Sequence, residues 1–82
     1  MPERIGQYMT ADRFAPQPGR KTAVWRICTR DGGTLGRVRW YGGWWQYVFE
    51  PAPGTEFSAG CLRDLVAFLE RVNKEQKEAN DA

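Results

Sequence analysis

The sequence predicts an α+β fold: a three- to four-stranded antiparallel β-meander packed against one C-terminal α-helix. Three observations predict it. Two β-prone, Trp-rich runs meet at Gly42-Gly43 within residues 37–50. A further strand-like run, 21–30, precedes them and is joined to them through Asp31-Gly32-Gly33. Beyond residue 60, Cys61, Leu62, Leu65, Val66, Phe68, Leu69 and Val72 recur at three- and four-residue spacing, the period of an amphipathic helix. A sheet with one apolar face and a helix with one apolar stripe cover each other. A chain of 82 residues forms one small domain with a limited core, and its four Trp are the main apolar resource for that core.

Residues 1–20 read as an N-terminal arm or short strand. Ile5, Gln7 and Met9 alternate too briefly to decide between them, and Pro16, Pro18 and Gly19 break any regular element that follows. From 21 to 73 the chain reads as a β-β-β-α domain.

In its first hairpin, a two-residue turn at Gly32-Gly33 sets Trp25 opposite Trp40 and Ile27 opposite Val38. A turn at Asp31-Gly32 shifts the partners by two and keeps the faces, whereas a three-residue loop inverts them. The two-residue readings are preferred because they place Trp25 and Ile27 on the same side as Trp40 and Tyr47. In the second hairpin, Gly42-Gly43 as a type I′ turn pairs Trp40 with Trp45 and Val38 with Tyr47. One face then carries Val38, Trp40, Trp45, Tyr47 and Phe49 as core. The other carries Arg26, Arg37, Arg39, Tyr41, Trp44, Gln46 and Val48.

Pro53-Gly54 suits the centre of a type II turn that ends the sheet. Ser58 is placed to cap the helix, with Phe57 and Leu62 at the positions of a hydrophobic staple. Glu70 and Lys74 form an i, i+4 pair. Residues 74–82 hold no apolar side chain larger than Ala and read as a frayed polar tail.

Composition argues against several function classes. There is no His, so the commonest general base and metal ligand is missing and no Ser-His-Asp or Cys-His arrangement can form. Neither Gly-Gly site resembles a phosphate-cradling loop before a helix. Cys28, on the outer face of a strand, and Cys61 read as free thiols of a reducing cytosol, without partners for a zinc site. The expectation is a protein that is not an enzyme and uses no cofactor and no metal. No run approaches the ~20 apolar residues needed to span a bilayer, and no signal peptide precedes the domain, so a soluble, cytoplasmic protein is expected. Net charge is only +2, but Lys and Arg outnumber Asp and Glu eight to four up to Glu50 and trail four to six after it.

The basic surplus and the aromatics meet on the outer sheet face, where Arg26, Arg37, Arg39, Tyr41, Trp44 and Gln46 are the candidate partner-binding residues. Such a set suits a protein hot spot or stacked bases and phosphates of single-stranded nucleic acid. In the plainer alternative, the Arg stems lie across the aromatics of a solvated face, or the N-terminal arm covers it.

The segment from Trp40 onward resembles a family of small proteins of phages and prophages. Its pattern is met here by Trp40, Tyr41, Trp44, Gln46, Tyr47, Phe49, Pro51, Phe57, Ser58, Cys61 and Leu62. Where members of that family commonly carry Arg after the second Trp, this chain has Trp45. The resemblance implies no catalytic residues. It implies an accessory protein of a mobile element that binds a host or phage protein complex, with inhibition of a host defence system, as by an anti-CRISPR protein, among the roles such proteins take.

Overall fold

The computed structural model describes residues 2–16 and 18–81. Met1 and Gln17 of the expected arm and Ala82 of the expected tail lie outside them. The architecture is α+β: β1 (Glu3–Ile5), β2 (Met9–Phe14), β3 (Val24–Thr29), β4 (Thr34–Tyr41) and β5 (Gln46–Pro51) form one antiparallel sheet in sequence order, followed by α1 (Ala59–Asp81).

The sheet has two more strands than the three read in detail from the sequence. Residues 5–9 are neither one strand nor an arm; they are the turn of a hairpin, with Ile5 opposite Met9. The alternation that matters begins at Met9. Met9 and Ala11 face the core, while Thr10 and Asp12 face out. Gly6 makes the corner with φ +61°, and a Cβ there would fall on the Asp64 carboxylate of α1.

Both central hairpins differ from their expected turns, yet the faces are kept. Thr29 and Gly33 close the β3–β4 hairpin around a loop of three residues, 30–32. Gly32 N–H donates to Thr29 C=O at 3.0 Å, Gly32 has φ +100°, and Thr29 N–H donates to Gly33 C=O at 2.8 Å. Such a loop alone would put Arg37 inside. An extra residue in β4, Leu35, restores the alternation: Cys28 pairs with Thr34, but Ile27 pairs with Gly36. Trp25 therefore faces Val38, as the Asp31-Gly32 alternative predicts. Gly36 is required at the bulge because a Cβ would meet the Glu50 carbonyl and the Phe49 ring.

Between β4 and β5 the loop has four residues rather than two. Trp44 N–H donates to Tyr41 C=O at 3.2 Å, and the positive φ falls on Trp45, at +54°, not on Gly42 or Gly43. Trp40 pairs with Tyr47, and Arg37 with Glu50. The shift of two residues leaves Val38, Trp40, Tyr47 and Phe49 on one face. Trp45 leaves it: in the loop it is 79% exposed, its edge against Trp40 at 6.3 Å.

The core joins Ile5, Met9, Ala11, Trp25, Ile27, Val38 and Tyr47 of the sheet to Leu65, Phe68 and Val72 of α1. Trp25 is its centre, edge-on to Tyr47 at 5.2 Å and to Phe68 at 5.6 Å.

The turn at Pro53-Gly54 forms as expected, with Gly54 at φ +77° and Thr55 N–H donating to Ala52 C=O. Ser58 caps α1 through its Oγ, which accepts from Cys61 N–H at 3.1 Å. Phe57 packs on Phe49 at 5.4 Å, while Leu62, its expected staple partner, stays half-exposed.

The helix runs through the charged segment to Asp81. Its last turns have sheet contacts that the apolar pattern does not reveal. Tyr47 O–H donates to Gln76 Oε1 at 3.0 Å, and Asn73 Oδ1 accepts Tyr47 N–H at 2.6 Å. Among the described residues the i, i+4 ion pair on α1 is Arg71–Glu75, at 3.6 Å, and Arg71 also pairs with Glu3 of β1.

Candidate partner-binding face

The outer face of the sheet is built by alternation, and its rows follow from the register. Asp12, Arg26, Arg37 and Glu50 are successive cross-strand partners from β2 to β5. One row thus reads acid, base, base, acid. Beside it, Phe14 partners Val24, and Arg39 partners Val48. At the far end of the hairpin, Tyr41 partners Gln46.

All six expected site residues lie on or beside this face, but in two groups. Arg26, Arg37 and Arg39 are in the middle of the sheet. Tyr41, Trp44 and Gln46 are at its β4–β5 corner, where Trp44 belongs to the loop and not to a strand. Trp44 is 66% exposed and packs its edge on Tyr41 at 5.1 Å. Trp45 stands beside it, so the corner carries more exposed aromatic surface than the sequence suggests.

The cations are not free point charges. Glu50 accepts from Arg37 Nε at 2.6 Å and pairs with Arg39 Nη2 at 2.7 Å. Hydrogen bonds from Arg39 and then Arg37 pull the Glu50 carboxyl below its ordinary range. Arg39 also donates from Nη1 to Trp40 C=O at 3.2 Å, and its guanidinium lies over the Tyr41 ring, 5.8 Å from the centroid. Arg26 differs. Its Nε donates to Cys28 Sγ at 3.0 Å and its Nη2 reaches Gly32 C=O only at 3.5 Å. Asp12, its row neighbour, makes no ion pair with it among the described residues. Cys28 is on the outer side, as expected, but buried beneath Arg26.

Sequence reasoning missed Asp12, Phe14, Val24 and Glu50 on this face. The first two lie on β2, where alternation from Met9 onward is the available signal. Glu50 was hidden by the turn position, because a two-residue turn at Gly42-Gly43 would set Arg37 opposite Val48. Phe14 and Val24, both exposed, form with Pro51 and Ala52 the apolar lining of a groove of about 590 Å³ whose polar rim is Arg26, Arg37 and Glu50.

The chain is 31% identical over 62 residues to an "Uncharacterized 9.3 kDa protein" of Acholeplasma phage L2, a match that covers 74% of this chain and 80% of the phage protein. The chain belongs to the family of this phage protein. No protein-family model matches the chain, and no solved structure matches it. Membership in this family supports a small protein of phage type. Among the described residues, no helix of this phage-family protein is long and apolar enough to cross a membrane.

Proposed function

We propose that the protein is a non-enzymatic binding module of a phage or prophage that docks on a protein complex of the host or the phage through the outer sheet face. The observation that carries this reading is the β4–β5 corner, where Tyr41, Trp44 and Trp45 are exposed together beside half-buried Trp40. Exposed aromatics clustered with Arg have the composition of an interface hot spot. Inhibition of a host defence system is the biological role to which this reading extends.

The alternative, single-stranded nucleic acid on the same face, is disfavoured by the row of charges. Asp12 and Glu50 flank Arg26 and Arg37, so the row is neutral in sum where a phosphate backbone needs a continuous positive track. The test is capture of a partner from host lysate, read by mass spectrometry, with Trp44→Ala as the variant. Trp44 lies outside the core and gives up only its edge contact with Tyr41, so the variant stays folded and loses the partner. Unchanged capture by the folded variant rejects this corner as the interface. A steep loss of binding to oligonucleotides with salt would instead favour the nucleic-acid reading.

A further inference from the structure

We infer that the groove in the middle of the outer face takes an extended peptide of a partner protein, through an acidic side chain that is seated between Arg26 and Arg37 with an apolar neighbour laid on Phe14 and Val24. This deepens the proposed function and rests on it.

Arg26 and Arg37 are direct cross-strand partners. Two like charges in that relation repel, and the arrangement costs stability unless an anion lies between them. The fold supplies only part of that compensation. Glu50 engages Arg37 through Nε and spends its second oxygen on Arg39. Among the described residues, the Arg37 side chain makes no other hydrogen bond. Arg26 has a thiol sulfur, a weak acceptor, and one carbonyl at 3.5 Å, the limit of hydrogen-bond reach. The pair therefore presents unspent, forked N–H donors on an exposed surface, which is the geometry that a carboxylate satisfies with two parallel bonds.

The wall beside this pair selects what the carboxylate is attached to. Phe14, Val24, Pro51 and Ala52 make it apolar. A free inorganic anion would leave that wall uncovered. A nucleic-acid strand would bring further phosphates against Asp12 and Glu50 in the same row. A peptide with one carboxylate next to a Leu or Phe fits both parts: its charge meets the two Arg, and its apolar side chain covers the two exposed hydrophobics.

The probe is the peptide acetyl-Leu-Glu-Leu-Phe-amide, titrated into the full chain and followed by the NMR signals of the Arg side-chain Nε–H groups and of the backbone amides. The expected result is saturable movement of the Arg26, Arg37, Phe14 and Val24 signals. Replacing Glu by Gln in the peptide, or Arg26→Gln in the protein, weakens binding about 10-fold, the usual worth of a charge-assisted hydrogen bond. Arg26 is exposed and outside the core, so the folded state of that variant is checked by its unchanged amide spectrum. Equal affinity for the Glu and Gln peptides, no saturable shift, or tighter binding of a deoxythymidine decamer than of the peptide overturns the assignment. The same titration on Trp44→Ala separates the two proposals. Peptide binding retained there, with partner capture unaffected, removes the aromatic corner and leaves the groove. Peptide binding absent in the parent chain, with capture lost in Trp44→Ala, does the reverse.

Discussion

The side-chain amide of Asn73 stands against the backbone of Tyr47 as a neighbouring strand would. Its Oδ1 accepts the Tyr47 N–H at 2.6 Å, and its Nδ2 reaches the Tyr47 C=O at 3.4 Å. β5 is an edge strand, and an open edge invites pairing with other chains. Tyr47, Phe49 and Pro51 share one parity along it, so their backbone groups point the same way. Asn73 occupies the first of these positions, and Pro51 has no N–H to offer. The same Tyr47 accepts from Ala23 N–H at 3.1 Å and donates to Gln76 through its hydroxyl, so it ties the sheet, the 20–23 segment and the end of the helix together.

Asn73→Ala strips the edge cap and leaves a half-buried N–H without its partner. A cost of about 1–3 kcal/mol is expected, with a fall in melting temperature of about 4–8 °C per kcal/mol for a domain of this size. Asn73→Asp keeps the acceptor oxygen and is expected to lose less. Thermal unfolding of the two variants decides it, and the opposite ranking would show that the amide does not hold the strand.

Gly6→Ala meets two obstacles at once. Its φ of +61° is a left-handed conformation, which costs a residue with a side chain about 1–2 kcal/mol. The new methyl also falls on the Asp64 carboxylate. Asp64→Ala alone is expected to be nearly neutral. Combined with Gly6→Ala it should return the part of the loss due to contact and leave the backbone part. Strictly additive unfolding energies would mean that the two sites do not touch.

Glu50 makes stability depend on acid. Its folded pKa is lowered by Arg39 first and Arg37 second. The folded state therefore binds this proton less readily than the unfolded chain. The stabilisation is complete above the unfolded carboxylate value of about 4.3 and is lost as pH falls through the lower folded value. Asp31, whose pKa is lowered by Thr29 and the Gly33 backbone, adds to the same limb. Glu50→Gln is expected to flatten the loss of melting temperature between about pH 5 and pH 2 without abolishing it. An identical acid profile in the variant would show that the two Arg contacts do not stabilise the fold.

Trp25 and Trp45 should respond oppositely to the same substitution. Trp25 is 8% exposed and packs on Tyr47 and Phe68. Trp25→Ala should cost about 3–5 kcal/mol, a large part of the stability of so small a domain. Trp45→Ala gives up one edge contact with Trp40, worth about 0.5–1.5 kcal/mol, from an exposed loop. Denaturant unfolding measures both, and comparable losses would place Trp45 in the core after all.

The parity of the sheet was legible because alternation survives displacement by two residues. Val38, Trp40 and Tyr47 face in, and Arg26, Arg37 and Arg39 face out, although neither turn is the one expected. The Leu35 bulge and the position of Trp45 were not legible. Each is a local choice whose reward is distant: the bulge returns Val38 to Trp25, and the loop lets Trp40 meet Tyr47. In sequence Gln76 falls in the polar tail and Asn73 stands at the last position before it. Only the path of the helix past β5 gives their amides a strand to bind.

By itself the chain determined the types of the three central strands and of the helix, the apolar and polar sides of each central strand, the capped start of the helix and the accumulation of Arg and aromatics on one surface. These follow from periodicity and turn chemistry, which act over a few residues. Tertiary structure decided the register and hence which charges are neighbours. The row of Asp12, Arg26, Arg37 and Glu50 joins four strands, and a cross-strand row depends on loop length and bulges, which the side-chain pattern of any single strand does not contain.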